Sequence, residues 1–114
     1  MKADRVKGHL DLVLLAALAD APGHGYAIIS ALRERTDGAI DLPEGSVYPA
    51  LHRLEDLGLI ESEWIPAGGR RRRQYRLTDR GADALALEHR DWRHLVTALD
   101  ALLRPLPLPI GGLA

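Results

Sequence analysis

A change of hydrophobic period in the middle of the chain constrains its fold most. In the first half, apolar residues recur at the three- and four-residue spacing of amphipathic helices. From Ile60 to Ile65 and again from Arg72 to Leu77 the pattern alternates residue by residue, which is the period of a β-strand, and Pro66-Ala67-Gly68-Gly69 between them is typical of a turn. The helical period returns from Asp79. The sequence therefore predicts three short helices, a β-hairpin and one long helix.

Capping residues and prolines set the helix boundaries. The first helix begins at Leu10 and is stopped by Pro22-Gly23. Ser46 is the expected N-cap of the third helix, with Pro49 in the first turn, where a missing N–H loses no helical hydrogen bond. Thr78 is the expected N-cap of the last helix. The other expected spans are 25–36 for the second helix and 79–103 for the last.

A chain of 114 residues has room for one domain. Three helices followed by a hairpin with a basic tip describe a winged helix-turn-helix, a mainly α fold with a small β-hairpin (α+β). The second and third helices form the helix-turn-helix, and the hairpin is the wing. We expect a loose tail over 1–8, the winged helix-turn-helix over 9–78, a dimerisation helix over 79–104 and a proline-rich tail over 105–114.

The net charge of −1 conceals a strong asymmetry. Residues 70–80 hold six arginines and one acid, a charge of +5, so the rest of the chain carries −6. An isolated basic run is usually a solvated surface, but a basic tip beside a helix-turn-helix favours contact with DNA phosphates. The alternative is a winged-helix interaction module that binds an acidic protein partner through the same arginines.

The exposed face of the third helix supplies the candidate DNA-reading residues. Arginine reads guanine edges in the major groove, and hydroxyl and imidazole groups bind phosphates or bases. Tyr48 has a competing role as a half-buried packing residue. The expected DNA-binding residues are Ser46, Tyr48, Pro49, His52, Arg53, Arg70, Arg71, Arg72 and Arg73.

The last helix is too long for its own domain to cover. Its roughly 25 residues span about 37 Å, and its apolar positions recur at spacings of three and four. This pattern favours a helix–helix seam in a homodimer over an intramolecular core helix, and a dimer places two recognition helices on two-fold DNA. The expected interface residues on this helix are Leu85, Trp92, Val96, Leu99 and Leu103.

Several other classes of protein are disfavoured by the sequence. There is no cysteine, and His89 and His94 are five residues apart, not the four that places two ligands on one helix face. A metal sensor using these residues with His9 is therefore a minor alternative, and we expect no cofactor. No nucleophile–base or carboxylate pair is visible, so the chain is not expected to be an enzyme.

The longest apolar run is Leu12 to Ala19, far short of the ~20 residues that span a bilayer. Together with the preceding basic residues this run imitates a signal peptide. The same residues also form a helix that the domain needs. We therefore expect a cytoplasmic protein with no membrane partner.

Three motifs together resemble the PadR-type transcriptional regulators, specifically their short subfamily. They are His24-Gly25-Tyr26, the segment from Gly45 to Leu54 (GSVYPALHRL), and Tyr75-Arg76-Leu77-Thr78 followed by Gly81. The resemblance covers about residues 7–103. The wing departs from the family pattern, because it carries arginine alone where other members mix proline and lysine with arginine.

The resemblance implies a homodimer in which the C-terminal helix packs on the partner's N-terminal helix, and this adds Leu10 and Leu14 to the expected interface residues. It also implies sequence-specific repression that a small aromatic or hydrophobic molecule relieves. In short members the ligand pocket lies between the subunits. Carried onto this chain, it points to Leu14, Ala17, Trp92, Leu95 and Val96 as the pocket lining.

Overall fold

The structure is a computed structural model that describes residues 7–104. A single 3-10 turn, Lys7–His9, leads into the first helix, so the first described residues overlap the end of the expected tail over 1–8. The remainder of that tail and the proline-rich tail over 105–114 lie outside the described residues. The elements are α1 Leu10–Asp20, α2 Gly25–Arg35, α3 Glu44–Asp56, β1 Ile60–Ala67, β2 Arg70–Leu77 and α4 Asp79–Leu103.

The order of helices and strands confirms the predicted fold class. The core lies among α1, α2 and α3, and the hairpin closes it with Ile60 and Tyr75. Removing such aliphatic side chains from water contributes about 25 cal/mol for each Å² of apolar surface. The side chains that are most completely buried are Leu14, Leu15, Val47, Leu51, Leu54 and Ile60.

The start of α3 differs from the prediction. The helix begins at Glu44 with Pro43 as its N-cap, and the N–H of Ser46 donates to the Pro43 carbonyl at 3.0 Å. Ser46 is therefore inside the helix, and its predicted role as N-cap is wrong. Pro49 consequently lies in the second turn, where its missing N–H leaves the Gly45 carbonyl without its usual helical donor.

The hairpin is joined by a two-residue turn. Gly68 and Gly69 have φ values of +55° and +80°, as a type I′ turn requires, and Ala67 pairs with Arg70 on either side of them. Both strands therefore reach closer to the tip than the sequence suggested. On its other side β2 forms a bridge to Gly23, with hydrogen bonds of 2.8 and 3.0 Å between Tyr75 and Gly23.

The first turn of α4 is fixed to the end of α3. Thr78 accepts from the Gly81 N–H at 3.0 Å, as its predicted capping role requires, and its hydroxyl donates to the Gly58 carbonyl at 2.7 Å. Its own N–H donates to the Leu59 carbonyl at 3.1 Å. This joint sets the direction in which α4 leaves the domain, and the described residues extend over 57 × 28 × 21 Å.

Candidate nucleic-acid interface

The outward face of α3 is free of charged side chains at its centre. Gly45, Pro49 and His52 are exposed and lie at i, i+4 and i+7, on the side opposite the buried Val47 and Leu51. A smooth helix face of this kind can enter the major groove, which is about 12 Å wide. The imidazole of His52 is the polar group at its centre.

Tyr48 lies on the edge of this face that is nearest the wing. Its ring covers Gly25 so closely that a Cβ built on Gly25 would lie 2.5 Å from Tyr48 Cε1 and 2.7 Å from its hydroxyl oxygen. Tyr48 nevertheless remains 36% exposed. The packing and DNA-binding roles predicted for Tyr48 are therefore compatible, because Gly25 supports one side of the ring and leaves the hydroxyl near the surface.

Arg53 lies on the opposite edge, away from the wing. Its Nη1 donates to Asp11 Oδ2 of α1 at 3.0 Å, and its Nη2 also donates to the same carboxylate. These hydrogen bonds raise the pKa of Arg53 above its ordinary value. The structure thus holds Arg53 against α1 and does not bring it together with the wing arginines. Ser46, on the same edge, is half-buried.

The pleat of β2 divides the arginine run between two faces of the wing. Arg71 and Arg73 lie on the face that carries Trp64 and the buried Tyr75, and Arg70 and Arg72 lie on the other. The guanidinium carbons of Arg71 and Arg73 lie 5.6 and 5.2 Å from the centre of the Trp64 ring. The sequence motifs did not reveal the role of Trp64, although the strand register predicts its pairing with Arg73.

His24 connects the other face of the wing to the helix-turn-helix. Its Nδ1 accepts from the Ala27 N–H at 3.2 Å, capping α2, and its Nε2 lies 2.9 Å from Arg72 Nη1. Neutral imidazole has one acceptor nitrogen, so it satisfies one of these two donors at a time. Burial and the nearby Arg72 charge lower the pKa of His24 below its ordinary value of 6.5.

The base of the wing is electrically compensated and its tip is not. Arg76 donates to Glu61 at 2.8 Å and to Glu63 at 3.4 Å, and Arg73 lies 3.8 Å from Glu55. Within residues 7–104, Arg70, Arg71 and Arg72 form no ion pair within 4.0 Å. The excess positive charge predicted from the sequence is therefore concentrated at the Gly68-Gly69 end of the hairpin.

Comparison with known proteins agrees with this geometry. The profile described as "Transcriptional regulator PadR-like family" matches residues 14–87. The chain is 50% identical over 101 residues to Transcriptional regulator Rv3488 of Mycobacterium tuberculosis, covering 89% of this chain and 82% of that protein. The chain belongs to the PadR-like family of transcriptional regulators.

Solved structures with the same fold include other members of this family. A transcriptional regulator from Clostridium thermocellum, Cth-833, aligns with a TM-score of 0.80 at 27% identity, covering 89% of this chain and 96% of that one. A PadR family transcription regulator from Clostridium difficile R20291 gives 0.74 at 32% identity, covering 83% and 98%. The winged helix-turn-helix of this PadR-family regulator and its resemblance to the family are thus confirmed.

The matched segment ends at Leu87, and the most exposed apolar part of α4 lies beyond it. Val96 is half-buried, and Leu85 packs partly against the core. Trp92 contacts His9 edge to face, with ring centres 5.0 Å apart. The exposed large apolar residues of this stretch, from 38% to 71% exposed, are Trp92, Leu95, Leu99, Leu102 and Leu103.

Two residues that the sequence assigned to the subunit interface and ligand pocket are instead in the protomer core. Leu14 is 0% exposed and Ala17 is 6% exposed, so neither reaches a partner or a ligand at the surface of this PadR-family chain. The assignment of Leu14 and Ala17 to the ligand pocket is therefore wrong, and so is the assignment of Leu14 to the interface. The outward face of α1 instead carries Leu12, Val13 and Ala16, and Leu10 is half-buried beside them.

Two properties of the described residues bear on the minor alternatives. No helix within residues 7–104 is long and apolar enough to cross a membrane. In the same range, no group of three or more histidine, aspartate or glutamate side chains is arranged to hold a metal ion. His9, whose metal role the sequence left open, has its ring against Trp92.

Proposed function

We propose that this PadR-family regulator binds double-stranded DNA as a homodimer and represses transcription. The observation that carries the proposal is the arrangement of α3 and the wing. A helix face without charged side chains from Gly45 to His52 lies beside a hairpin tip whose arginines Arg70, Arg71 and Arg72 are free of carboxylate partners among residues 7–104. The helix face suits a major groove, and the tip suits the flanking phosphate backbone.

Each predicted contact residue has a distinct part in this arrangement. His52 reads base edges from the centre of α3, with Pro49 making apolar contact beside it. Tyr48 donates its hydroxyl to a phosphate on the wing side. Arg53 and Ser46 contact the opposite strand. The Arg53–Asp11 pair is half-exposed, and such pairs contribute about 0–1 kcal/mol, so a DNA phosphate competes with Asp11 for this guanidinium.

The exposed apolar stripe of α4 supports the homodimer. Leu95, Leu99 and Leu102 recur at spacings of four and three, as in a helix–helix seam. A chain of this size buries a limited core, so a second copy adds substantial hydrophobic stabilisation. In a two-fold dimer the recognition helices meet half-sites about 34–36 Å apart on one side of the DNA, as in other helix-turn-helix dimers.

Relief of repression by a small aromatic or hydrophobic ligand completes the proposal. Trp92, Leu95 and Val96 remain as its lining, because Leu14 and Ala17 are buried. A ligand stacked on Trp92 between subunits changes the separation of the two recognition helices. Because the coupling between two sites is reciprocal, the ligand lowers the affinity for DNA by the same factor by which DNA lowers the affinity for the ligand. Quenching of Trp92 fluorescence in a Trp64→Phe background measures this binding.

The decisive test of DNA binding is a gel-shift titration with the upstream region of the protein's own gene at several salt concentrations. Replacing Arg70, Arg71, Arg72 and Arg73 with alanine should weaken binding. It should also make the salt dependence of log K shallower by about 0.9 for each phosphate that the wing no longer neutralises.

The matched control removes two arginines from elsewhere on the surface. Arg33 and Arg35 lie on α2 beside Asp41 and Asp20 respectively, so the Arg33→Ala/Arg35→Ala variant lowers the charge without touching the wing. It should keep the wild-type salt slope. If the wing variant keeps it too, or if the control reduces the slope as much per arginine, the assignment of the wing to the DNA backbone is wrong.

A further inference from the structure

Trp64 is an aromatic side chain on the wing that has little packing function of its own. It is 54% exposed, unlike Ile60 and Tyr75, which carry the hairpin's contribution to the core. An exposed tryptophan on a charged strand needs a reason, because burying apolar area is what such a residue usually contributes. The two arginines that cover its ring supply one.

The contacts of Trp64 are fixed by the register of the hairpin. Arg73 lies directly opposite Trp64, and Arg71 lies opposite Pro66, one diagonal step nearer the tip. Both guanidinium groups lie within 6 Å of the ring centre, the range in which a cation is attracted to the face of an indole. One ring therefore holds two arginines of the run.

This stack also has an anchor at the domain end. Arg73 lies 3.8 Å from a Glu55 oxygen, and the same carboxylate oxygen accepts from the Ser62 hydroxyl. Glu55 belongs to α3, so the chain of contacts from Glu55 through Arg73 to Trp64 and Arg71 links the recognition helix to the wing. Arg71 is the outermost member and has no carboxylate within 4.0 Å among residues 7–104.

Stacking leaves the hydrogen-bonding edge of a guanidinium available. The cation uses its flat face against the ring, and its N–H groups point outward in the plane. The two non-bridging oxygens of a phosphodiester each accept one such N–H group, which gives two parallel hydrogen bonds. An arginine held in this way loses less rotamer freedom when it binds than a free one does.

From this geometry we infer that Trp64 is the positioning residue of a phosphodiester-binding clamp formed by Arg71 and Arg73. The inference rests on the proposed function, since the ligand is the DNA backbone. The clamp divides the four arginines of the run into two pairs with different roles. Arg71 and Arg73 are held in place by the ring, and Arg70 and Arg72 on the other face contribute charge without that support.

The test measures DNA affinity against salt for Trp64→Leu, with Trp64→Phe as the conservative variant. Loss of the ring should weaken binding by at least about 5-fold, because both arginines must then be ordered when they bind the phosphate. The salt slope should stay at the wild-type value, since both arginine charges remain. Trp64→Phe should keep most of the affinity.

A double-mutant cycle separates positioning from general damage to the hairpin. In an Arg71→Ala/Arg73→Ala background, Trp64→Leu should have no further effect, because the residues it positions are gone. The control is Ile65→Ala, on the opposite face of β1 beside Arg72. Any effect of Ile65→Ala should be the same in both backgrounds.

The outcomes of these measurements are distinguishable. If the wild-type chain shows no salt-dependent DNA binding, the proposed function fails. If it binds and Trp64→Leu binds equally well, only the clamp fails. The positioning role is also overturned if Trp64→Leu lowers DNA affinity equally with and without the two arginines. The same holds if Trp64→Phe binds DNA no better than Trp64→Leu. Circular dichroism confirms that each variant is folded.

Discussion

Replacing Gly81 with alanine tests the joint that sets the direction of α4. A Cβ at this position would fall on the carbonyl oxygen of Leu59, with Leu77 Cδ1 at 2.8 Å and the Leu59 carbonyl carbon at 3.0 Å. Because the obstacle is backbone, a side-chain rotation cannot relieve it. The first turn of α4 must move away from Leu59, and this breaks the contacts through which Thr78 holds the two elements together.

The expected magnitude follows from those contacts. Moving α4 away lengthens the 3.1 Å bond from Thr78 N–H to Leu59 and the 2.7 Å bond from its hydroxyl to Gly58. Two such hydrogen bonds contribute about 2 kcal/mol together. Repacking around the added methyl group costs about 1–3 kcal/mol. The better helix propensity of alanine returns about 0.5–1 kcal/mol. The net destabilisation is about 2–4 kcal/mol.

Thermal unfolding followed by circular dichroism measures this effect at a fixed protomer concentration, which the proposed homodimer requires. At about 4 °C for each kcal/mol, Gly81→Ala should lower Tm by about 8–16 °C. The matched control is Gly45→Ala, also in a helix, where nothing lies within 4 Å of the added Cβ. Here Tm should stay constant or rise by up to about 4 °C.

The prediction is that Gly81→Ala lowers Tm and that Gly45→Ala does not. A wild-type Tm for Gly81→Ala would show that α4 is not clamped against Leu59, and an equal loss in Gly45→Ala would show that the helices are sensitive for another reason.

Thr78→Ala gives a second measurement. It should cost about 0.5–2 kcal/mol through the lost cap, and Thr78→Ser should restore the stability because it keeps the hydroxyl.

Three further predictions concern the interface and the subunit contact. Gly25→Ala should displace the Tyr48 ring and weaken DNA binding several-fold with little loss of Tm, since a flexible side chain can move away; an unchanged affinity in the gel shift would contradict this role of the glycine. Burial and Arg72 lower the pKa of His24 in the fold, so the unfolded chain takes up the proton first as pH falls below 6.5. The free energy of unfolding should therefore decline there and level off below the folded pKa. Urea unfolding should show a shallower decline in His24→Asn, and equal pH profiles for the two proteins would refute this role of His24. Leu99→Glu should yield a monomer by light scattering, and a persisting dimer would exclude this part of α4 from the interface.

The elements of this fold could be predicted because they depend on local signals. The alternation across 60–65 and 72–77 and the glycines of the turn between them indicate a hairpin without reference to the rest of the chain. Thr78 likewise finds its capping partner three residues away. The start of α3 was misplaced because Ser46 looks like a cap, whereas Pro43 and Glu44 also suit a helix start and the core determines which is used.

The features that sequence reasoning missed depend on residues distant in the chain. Arg53 and Asp11 are 42 positions apart, and the bridge between Gly23 and Tyr75 joins a loop to a strand. Leu14 was assigned to the interface and the ligand pocket because the family resemblance pointed to the first helix, and α1 is apolar on nearly every side. A helical period cannot identify the core face of such a helix, and only packing against α2 and α3 does.

The distribution of ion pairs explains how a protein of net charge −1 can bind a polyanion selectively. Carboxylates engage the arginines nearest the domain, and the tip remains positive. At physiological salt, charges farther apart than about 8 Å scarcely influence one another, so acids elsewhere on the surface do not cancel the field at the tip. In the proposed DNA complex the wing tip is then the most concentrated positive charge that meets the phosphates. In that complex α3 enters the groove at the same time, which links the electrostatic contact to the sequence-reading one. The arginines engaged by carboxylates are Arg33, Arg35, Arg53, Arg73 and Arg76.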